Sequence, residues 1–314
     1  MHIAFLSYYS GSVKRGVETY VSQLSKRLVK LGHSVRIYNY QDLKSVGSLP
    51  KFDPAPDIVI PTNGRLQAIK ARLWCLVNQK KCFISGQSGP GADDKLNLLT
   101  FPDAFIGLTT YQCRWAKAFN PLVKVVHISN GVDPEVFSPK ARPLSLQIKS
   151  PVVIYVAALE PIKRHHLLID AVFQTSASLL LVGKGSLENE ITKACQKKLP
   201  GRFQIISASY AQMPNVYASA DAAVYPTSPW ESFGISILEA MATNLPVVAT
   251  NDPIRKEIIE KAGFLANPEN TTEFANAISL ALKKSWGNIP LNQAKKFTWD
   301  IVALKYHHLF TKTT

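Results

Sequence analysis

Acidic side chains are the scarce class in this chain. Against 36 Lys and Arg there are 22 Asp and Glu in 314 residues, a net charge of +14. The deficit is uneven: residues 1–150 hold 20 basic and 9 acidic side chains, so most of the excess lies in the first half. Such a half is expected to face something anionic, whether a membrane surface, a phosphorylated molecule or nucleic acid. No nucleic-acid recognition motif accompanies the charge, so nucleic acid is not an expected partner. Cysteine is scarce too. Cys75, Cys82, Cys113 and Cys195 have neither metal-type spacing nor a C-x-x-C pair, which leaves reduced structural thiols. No apolar run reaches the roughly eighteen residues that a membrane-spanning helix needs. The opening Met1-His2-Ile3-Ala4-Phe5-Leu6 has no basic leader, so a cytoplasmic chain without a signal peptide is expected. The first loop lacks G-x-G-x-x-G, which disfavours a nucleotide-cofactor oxidoreductase.

What is present is an alternation of short apolar runs and helical periods. Residues 2–7 read as a strand, 10–16 as a glycine-bearing loop, and 17–31 as a helix carrying Val17, Tyr20, Val21, Leu24 and Leu28 on one face. Gly32 is a helix stop and residues 35–38 a second strand. Further strands are expected at 57–61, 81–85, 104–108 and 125–128. Residues 64–78 read as a helix with Leu66, Ile69, Leu73, Leu76 and Val77 on one side and basic residues interspersed. Such a helix suits either an anionic membrane or an ordinary domain surface. Asp93-Asp94 reads as a helix cap rather than a metal site. Residues 138–150 are polar and proline-bearing, as a linker is. The α/β pattern then restarts, with strands at 152–156, 179–182, 203–206 and 222–225, and helices at 167–173, from 187, at 216–220 and at 272–284. With 46% hydrophobic residues, two domains of similar size are the expectation.

The most informative stretch runs from Pro229-Trp230-Glu231-Ser232-Phe233-Gly234 to Leu238-Glu239-Ala240. Apolar strands flank it, so it is the loop and helix of a βαβ unit. Ligands of open α/β sheets bind beyond the carboxyl ends of the strands, which puts Glu231 in the crevice and the positive end of the following helix beside it. Glu239 shares a helix face with Ile235 and Ala242, and a carboxylate there needs a partner or a ligand hydroxyl.

Taken with Tyr217-Ala218-Ser219-Ala220-Asp221, Leu245-Pro246-Val247-Val248-Ala249-Thr250, Gly32-His33-Ser34-Val35, Asn130-Gly131-Val132-Asp133 and Val182-Gly183-Lys184-Gly185, this stretch resembles retaining GT-B glycosyltransferases of glycosyltransferase family 4. The resemblance covers nearly the whole chain. It implies an α/β fold of two Rossmann-like, doubly wound domains facing across a cleft. These are an acceptor-side domain at 1–145, a nucleotide-sugar domain at 146–296, and a terminal helix at 297–314 that crosses back to the first. It implies transfer of a hexosyl group from a nucleotide sugar, such as GDP-mannose or a UDP-hexose. The acceptor would be lipid-linked or a saccharide in cell-surface glycan synthesis, and the enzyme would sit peripherally at the inner face of the membrane. No cofactor and no metal are expected. By resemblance, Lys163 and Arg164 hold the diphosphate, with the backbone of Phe233 and Gly234 beside them. Glu231 grips the sugar, Glu239 the ribose, and Ile206 lies near the base. Lys184, Ser232 and Ile235 complete the donor side, and Gly16 lets the first loop close on the phosphates.

Four positions depart from the family pattern. The usual arginine five residues before Lys163 is Ala158, and the usual first-loop glycine pair reads Arg15-Gly16, which lets Arg15 itself reach a phosphate. A customary histidine is Gln87, and a customary glycine is Asn244. Gln87 can hydrogen-bond a sugar but cannot carry a proton. Two alternatives stand beside this reading: a transferase-like nucleotide-sugar-binding protein that has lost activity, for which Ala158 and Gln87 argue, and a GT-B nucleotide-sugar epimerase, which would call for catalytic carboxylates and histidines that the first half does not offer.

Overall fold

The computed structural model describes residues 1–13, 15–228 and 231–312. Pro229 and Trp230 of the motif loop lie outside the described residues. In chain order the first half forms β1 (His2–Leu6), α1 (Gly16–Lys30), β2 (Ser34–Tyr38), β3 (Ile58–Pro61), α2 (Arg65–Val77), β4 (Lys81–Ser85), α3 (Ala92–Leu98), β5 (Ala104–Gly107), α4 (Thr110–Phe119) and β6 (Val125–His127). The second forms β7 (Val152–Val156), α5 (His165–Phe173), β8 (Ser178–Val182), α6 (Glu188–Lys198), β9 (Phe203–Ile206), α7 (Met213–Tyr217), β10 (Ala222–Tyr225), α8 (Ile235–Ala242), β11 (Val247–Thr250), α9 (Pro253–Ile259), β12 (Gly263–Ala266), α10 (Thr271–Lys283) and α11 (Ile289–Ala294), and the chain closes with α12 (Trp299–Thr311). This is the expected α/β arrangement of two doubly wound sheets.

Two compact units result. One gathers residues 1–131, 231–233 and the terminal helix; the other gathers residues 132–228 and 234–298. The first unit thus ends at Gly131, whereas the sequence reading sets the boundary at 145. Residues 138–150 are tied to the second unit, where Leu144 N–H donates to Ser219 Oγ at 2.7 Å and Ser178 Oγ donates to the Lys149 carbonyl at 2.6 Å.

Each unit holds a six-stranded sheet, ordered β2-β1-β3-β4-β5-β6 in the first and β12-β11-β10-β7-β8-β9 in the second. The pairings are parallel throughout, as at β1–β2 and β7–β8. Parallel sheets are covered on both faces, so their strands carry continuous apolar runs rather than alternation. Ile58–Pro61, Ala104–Gly107, Ser178–Val182 and Val247–Thr250 are accordingly buried along their whole length. Polar ligand-binding groups are thereby confined to the loops at the strand ends.

The terminal helix α12 lies in the first unit. Tyr20 Oη and Tyr306 Oη are 2.9 Å apart, Arg27 Nε donates to Asp300 Oδ1 at 3.0 Å, and His33 Nε2 meets His307 Nδ1 at 2.9 Å. Phe83 and Phe310 pack with ring centroids 5.3 Å apart.

The structure corrects several local readings. The helices α4, α9 and α11 have no counterpart in the sequence reading, although α4 repeats Tyr111, Trp115 and Phe119 every fourth residue while turning only Gln112 and Ala116 fully inward. The short helix after β9 is shifted to Met213–Tyr217, with Pro214 in its first turn. Asp93 and Asp94 do not cap α3: Gly91 holds that place, and Asp94 is buried. On α2 the apolar side is the outer one. Ala68, Ala71 and Cys75 face in, while Leu66, Ile69, Leu73, Leu76 and Val77 are exposed. Among the described residues no helix is long and apolar enough to cross a membrane.

Asn244 has a structural reason. It follows α8 with φ at +68°, the left-handed region that Gly and then Asn tolerate best. Its side chain donates to the Gly287 carbonyl at 2.7 Å and accepts from Leu291 N–H at 3.2 Å, fastening α11 beside α8. Replacing Asn244 by Ala should lower unfolding free energy by about 2 kcal/mol, combining left-handed strain with lost hydrogen bonds. Asn244→Gly should lose less, and equilibrium urea unfolding of both variants measures the difference.

Candidate functional site

In the second unit β7 lies between β8 and β10, so successive connections leave it in opposite directions. Ligands of doubly wound sheets bind at such a switch point, beyond the carboxyl ends of the strands. Three loops meet there. Leu159 N–H, after β7, donates to the Lys184 carbonyl, after β8, at 3.0 Å. The Glu160 carboxylate accepts from Ser186 N–H at 2.9 Å and from Ser186 Oγ at 2.7 Å, which holds its pKa below the ordinary value. The third loop, after β10, is fixed from below. Thr227 O accepts from Thr250 Oγ1 at 2.6 Å, and Ser228 O accepts from Arg255 Nη2 at 2.8 Å. Arg255 is wholly buried and donates through Nε to Asp252 Oδ2 at 2.8 Å, so its charge is answered where water cannot reach.

The cationic groups of the expected site stand on these loops. Lys163 ends a 3-10 turn, Pro161–Lys163, and its carbonyl accepts from Tyr155 Oη at 3.0 Å. Arg164 adopts a left-handed conformation and donates through Nη2 to Glu269 Oε1 at 2.6 Å and through Nη1 to Thr227 O at 3.4 Å. Part of its charge is therefore already matched. Lys184 is exposed, and Ile206 closes β9, where its carbonyl accepts from Gly183 N–H at 3.0 Å. His165, directly after Arg164, is buried with neither ring nitrogen hydrogen-bonded. Burial first, then the charge of Lys163, pushes its pKa down to about 4, so the imidazole is neutral.

Gly234 starts α8 at φ +85°, and the helix has no side-chain cap. A residue with a Cβ would be strained there and would press on Ile237 at 3.0 Å. An uncapped helix start bearing partial positive charge follows, with Ile235 as the first helical residue. One turn on, Glu239 is buried, and Tyr217 Oη donates to its Oε2 at 3.0 Å. Burial raises its pKa to about 7, and the tyrosine hydrogen bond opposes that rise. Tyr217 itself ionises well above the usual range, because burial and the neighbouring Tyr225 and Glu239 disfavour a phenolate.

In the first unit Gln87 follows β4. Its Nε2 donates to Ser85 Oγ and to Asn130 Oδ1, each at 3.0 Å, while Asn130 Nδ2 returns a bond to Gln87 Oε1 at 3.0 Å. Both amide hydrogens are committed, so only a carbonyl lone pair remains to offer. Arg15 forks onto Glu18, with contacts of 3.0 and 3.2 Å, and lies over the Tyr9 ring. Gly16 is the first residue of α1. Glu231 is half-buried, Phe233 is buried, and Ser232 Oγ donates to Gly86 O at 3.2 Å.

The structure therefore gathers Lys163, Arg164, Lys184, Gly234 and Glu239 in one unit, at one end of one sheet. Gln87 and the 231–233 segment belong to the other unit. The sequence reading did not single out Asn130, His165, Tyr217 or Arg255 as individual residues. A signal was available for Arg255 in Asp252-Pro253, a cap followed by a first-turn proline.

The chain belongs to the family of glycosyl transferases group 1, whose model matches residues 139–297. Among curated relatives it is 39% identical over 93 residues to O-antigen chain mannosyltransferase B of Escherichia coli, covering 28% of this chain and 24% of that protein. It is 29% identical over 208 residues to an uncharacterized glycosyltransferase of Methanocaldococcus jannaschii, covering 58% and 53%. The matches thus span about half or less of these relatives' lengths. In fold it is similar to sucrose-phosphate synthase from Thermosynechococcus elongatus, with TM-score 0.82, 19% identity and 99% and 98% of the chains covered. It is also similar to Anabaena HepE, solved in complex with UDP and glucose, with TM-score 0.78, 18% identity and 99% and 100% covered.

Glu239 gives a stability signature. Folded, it keeps its proton up to about 7, against an ordinary 4.5, so its contribution is intact below the lower value and is lost as pH rises through the upper one. Chemical unfolding from pH 4 to 8 should show Glu239→Gln gaining on the parent by roughly 3 kcal/mol across that window.

Proposed function

We propose that this glycosyltransferase moves a hexosyl group, with retention and without a metal, from a nucleotide sugar such as GDP-mannose or a UDP-hexose. The acceptor is a lipid-linked or saccharide glycan precursor in cell-surface polysaccharide assembly. One observation supports this reading. Lys163 and Arg164 follow β7, and the uncapped start of α8 and the buried Glu239 follow β10, its neighbour in the second sheet. A diphosphate needs cations and free backbone N–H groups, and a ribose needs a carboxylate that accepts two hydroxyls. Lys184 and the cationic loop supply what a divalent ion would otherwise supply. Glu231 is assigned to the sugar hydroxyls, with Ser232, Phe233, Gly234 and Ile235 beside the phosphates, and Ile206 near the base. Arg15 and Gly16 are assigned to the first loop's approach to the phosphates.

In a same-face displacement the departing phosphate oxygen takes the acceptor's proton, so no protein base is required, and the enzyme's part is positioning and charge stabilisation. Gln87 fits that scheme: its free carbonyl lone pair accepts from a sugar hydroxyl beside the reacting one, whose own proton goes to the phosphate. Glu231→Ala should lower transfer at least about 100-fold without moving the melting temperature, as expected for an interaction made at the reacting sugar. The assay is turnover over a panel of GDP- and UDP-sugars with the product anomer read by NMR. Unchanged turnover, an inverted anomer or loss of activity in EDTA would each remove the corresponding part of the proposal.

The acceptor side also suggests a peripheral membrane protein of the cytoplasmic face. Leu66, Ile69, Leu73, Leu76 and Val77 form an outward apolar stripe on α2. Acidic groups near it are occupied: Asp93 pairs with Arg65 at 2.7 Å, Asp103 with Arg72 at 2.7 Å, and Asp94 is buried. Lys70 on α2 and Lys95 on the adjoining α3 remain exposed, with no carboxylate partner among the described residues. Apolar side chains accompanied by such cations fit an anionic lipid surface. Flotation at low salt should carry the protein with vesicles containing phosphatidylglycerol and not with purely zwitterionic ones. Leu73→Glu with Val77→Glu should abolish it, and equal flotation of parent and variant would remove this assignment.

A further inference from the structure

Asp94 is a buried carboxyl in α3 for which the proposed chemistry has no role. Its surroundings are specific. Oδ2 accepts from Gln112 Nε2 at 2.9 Å, and the same Nε2 donates to the Gly86 carbonyl at 2.7 Å. The other end of that amide, Oε1, accepts from Leu108 N–H at 2.8 Å. Gln112 therefore cannot flip: reversal would set oxygen against the Gly86 and Asp94 oxygens and N–H against the Leu108 N–H. The Gly89 N–H donates to the same Gly86 carbonyl at 3.4 Å. The Gly86–Gly89 turn, which contains Gln87, is thus tied at its Gly86 carbonyl, through Gln112, to one carboxyl. Space agrees, since a Cβ at Gly86 would lie 2.3 Å from Gln112 Nε2 and 2.9 Å from Asp94 Oδ2.

We propose that Asp94 is a positioning residue that, through Gln112, sets the Gly86–Gly89 turn and so the place of Gln87. The inference rests on the reading of Gln87 as a group that accepts from a sugar hydroxyl beside the reacting one. Asp94 Oδ1 accepts from Asn97 Nδ2 at 3.2 Å, while Asn97 Oδ1 is buried with no partner. A neutral group at position 94 has an acceptor waiting there once the Asn97 amide turns. Burial pushes the Asp94 pKa up to about 7, with the neighbouring Asp93 adding to the rise and Asn97, Gln112 and Gly89 opposing it. Arg65, across on α2, holds Asp93. Both protonation states keep Oδ2 on Gln112, so an uncharged amide is a fair replacement for the carboxyl.

The experiment follows amide hydrogen exchange over residues 86–91 in the full chain, together with kcat and KM for the donor that turns over. Asp94→Asn should match the parent in both. Asp94→Ala, and independently Gln112→Leu, should speed exchange of the turn and lower kcat by about tenfold or more, as displaced catalytic groups do, with donor KM unchanged. Exchange at 86–91 that equals the parent's in both disruptive variants would overturn the proposal, and so would exchange raised equally across the first unit. Should Asp94→Ala not fold, Gln112→Leu alone decides. A turn that loosens as expected in a protein with no transfer to any donor would uphold the positioning role and overturn the transferase reading instead.

Discussion

Arg255 is a full positive charge with no access to water, and the loop that follows β10 depends on how that charge is answered. An isolated guanidinium in such a place would not be tolerated. Asp252 neutralises it, and the Ser228 carbonyl takes a further donor. The consequence is geometric. A loop that must leave the sheet and lead to a helix start is held from beneath by a group that cannot be rehydrated without breaking the interior. Thr250 adds a second tether to the same loop. Rigid supports under a polar site are what electrostatic stabilisation requires, because dipoles that reorient during reaction lose most of their effect.

The buried parallel sheets act on the same problem at larger scale. By consuming apolar residues along entire strands, they leave charge and hydrogen-bonding capacity only at the ends. In the proposed site the first sheet uses this at Gln87 and the second at Lys163 and Arg164. Gln87 stands on a network that stays inside one unit, running from Asn130 and Ser85 on one side to Gln112 and Asp94 on the other.

Much of this could be read from the chain. The strand runs, the α1 period ending at Gly32, and the Glu231–Glu239 stretch are local signals, and local signals survive folding. Glu239 was legible because a carboxylate on an apolar helix face is itself an anomaly. Other features were not legible because they depend on tertiary neighbours. The outward orientation of Leu73 and Val77 follows from α2 using small residues, Ala68, Ala71 and Cys75, to approach the sheet, and an apolar period alone does not say which face is inside. Gln87 looked like a substitution in a catalytic place, yet its partner Asn130 is 43 residues away. Asn244 looked like a departure until its positive φ was visible.

The terminal helix bears on how the chain comes to be folded. Residues 299–312 belong to a unit whose other main part is residues 1–131. Tyr20 and His33 find Tyr306 and His307 only after everything between them has been made. During synthesis, from the amino terminus onward, the second unit's 132–298 span is available as a whole before the first unit has its last element. The half that is translated first is therefore the half that is finished last. Until α12 arrives, the surface that will cover Trp299 and Phe310 is open to water, and a nascent chain in that state relies on its own charge, abundant in this half, to stay apart from its neighbours.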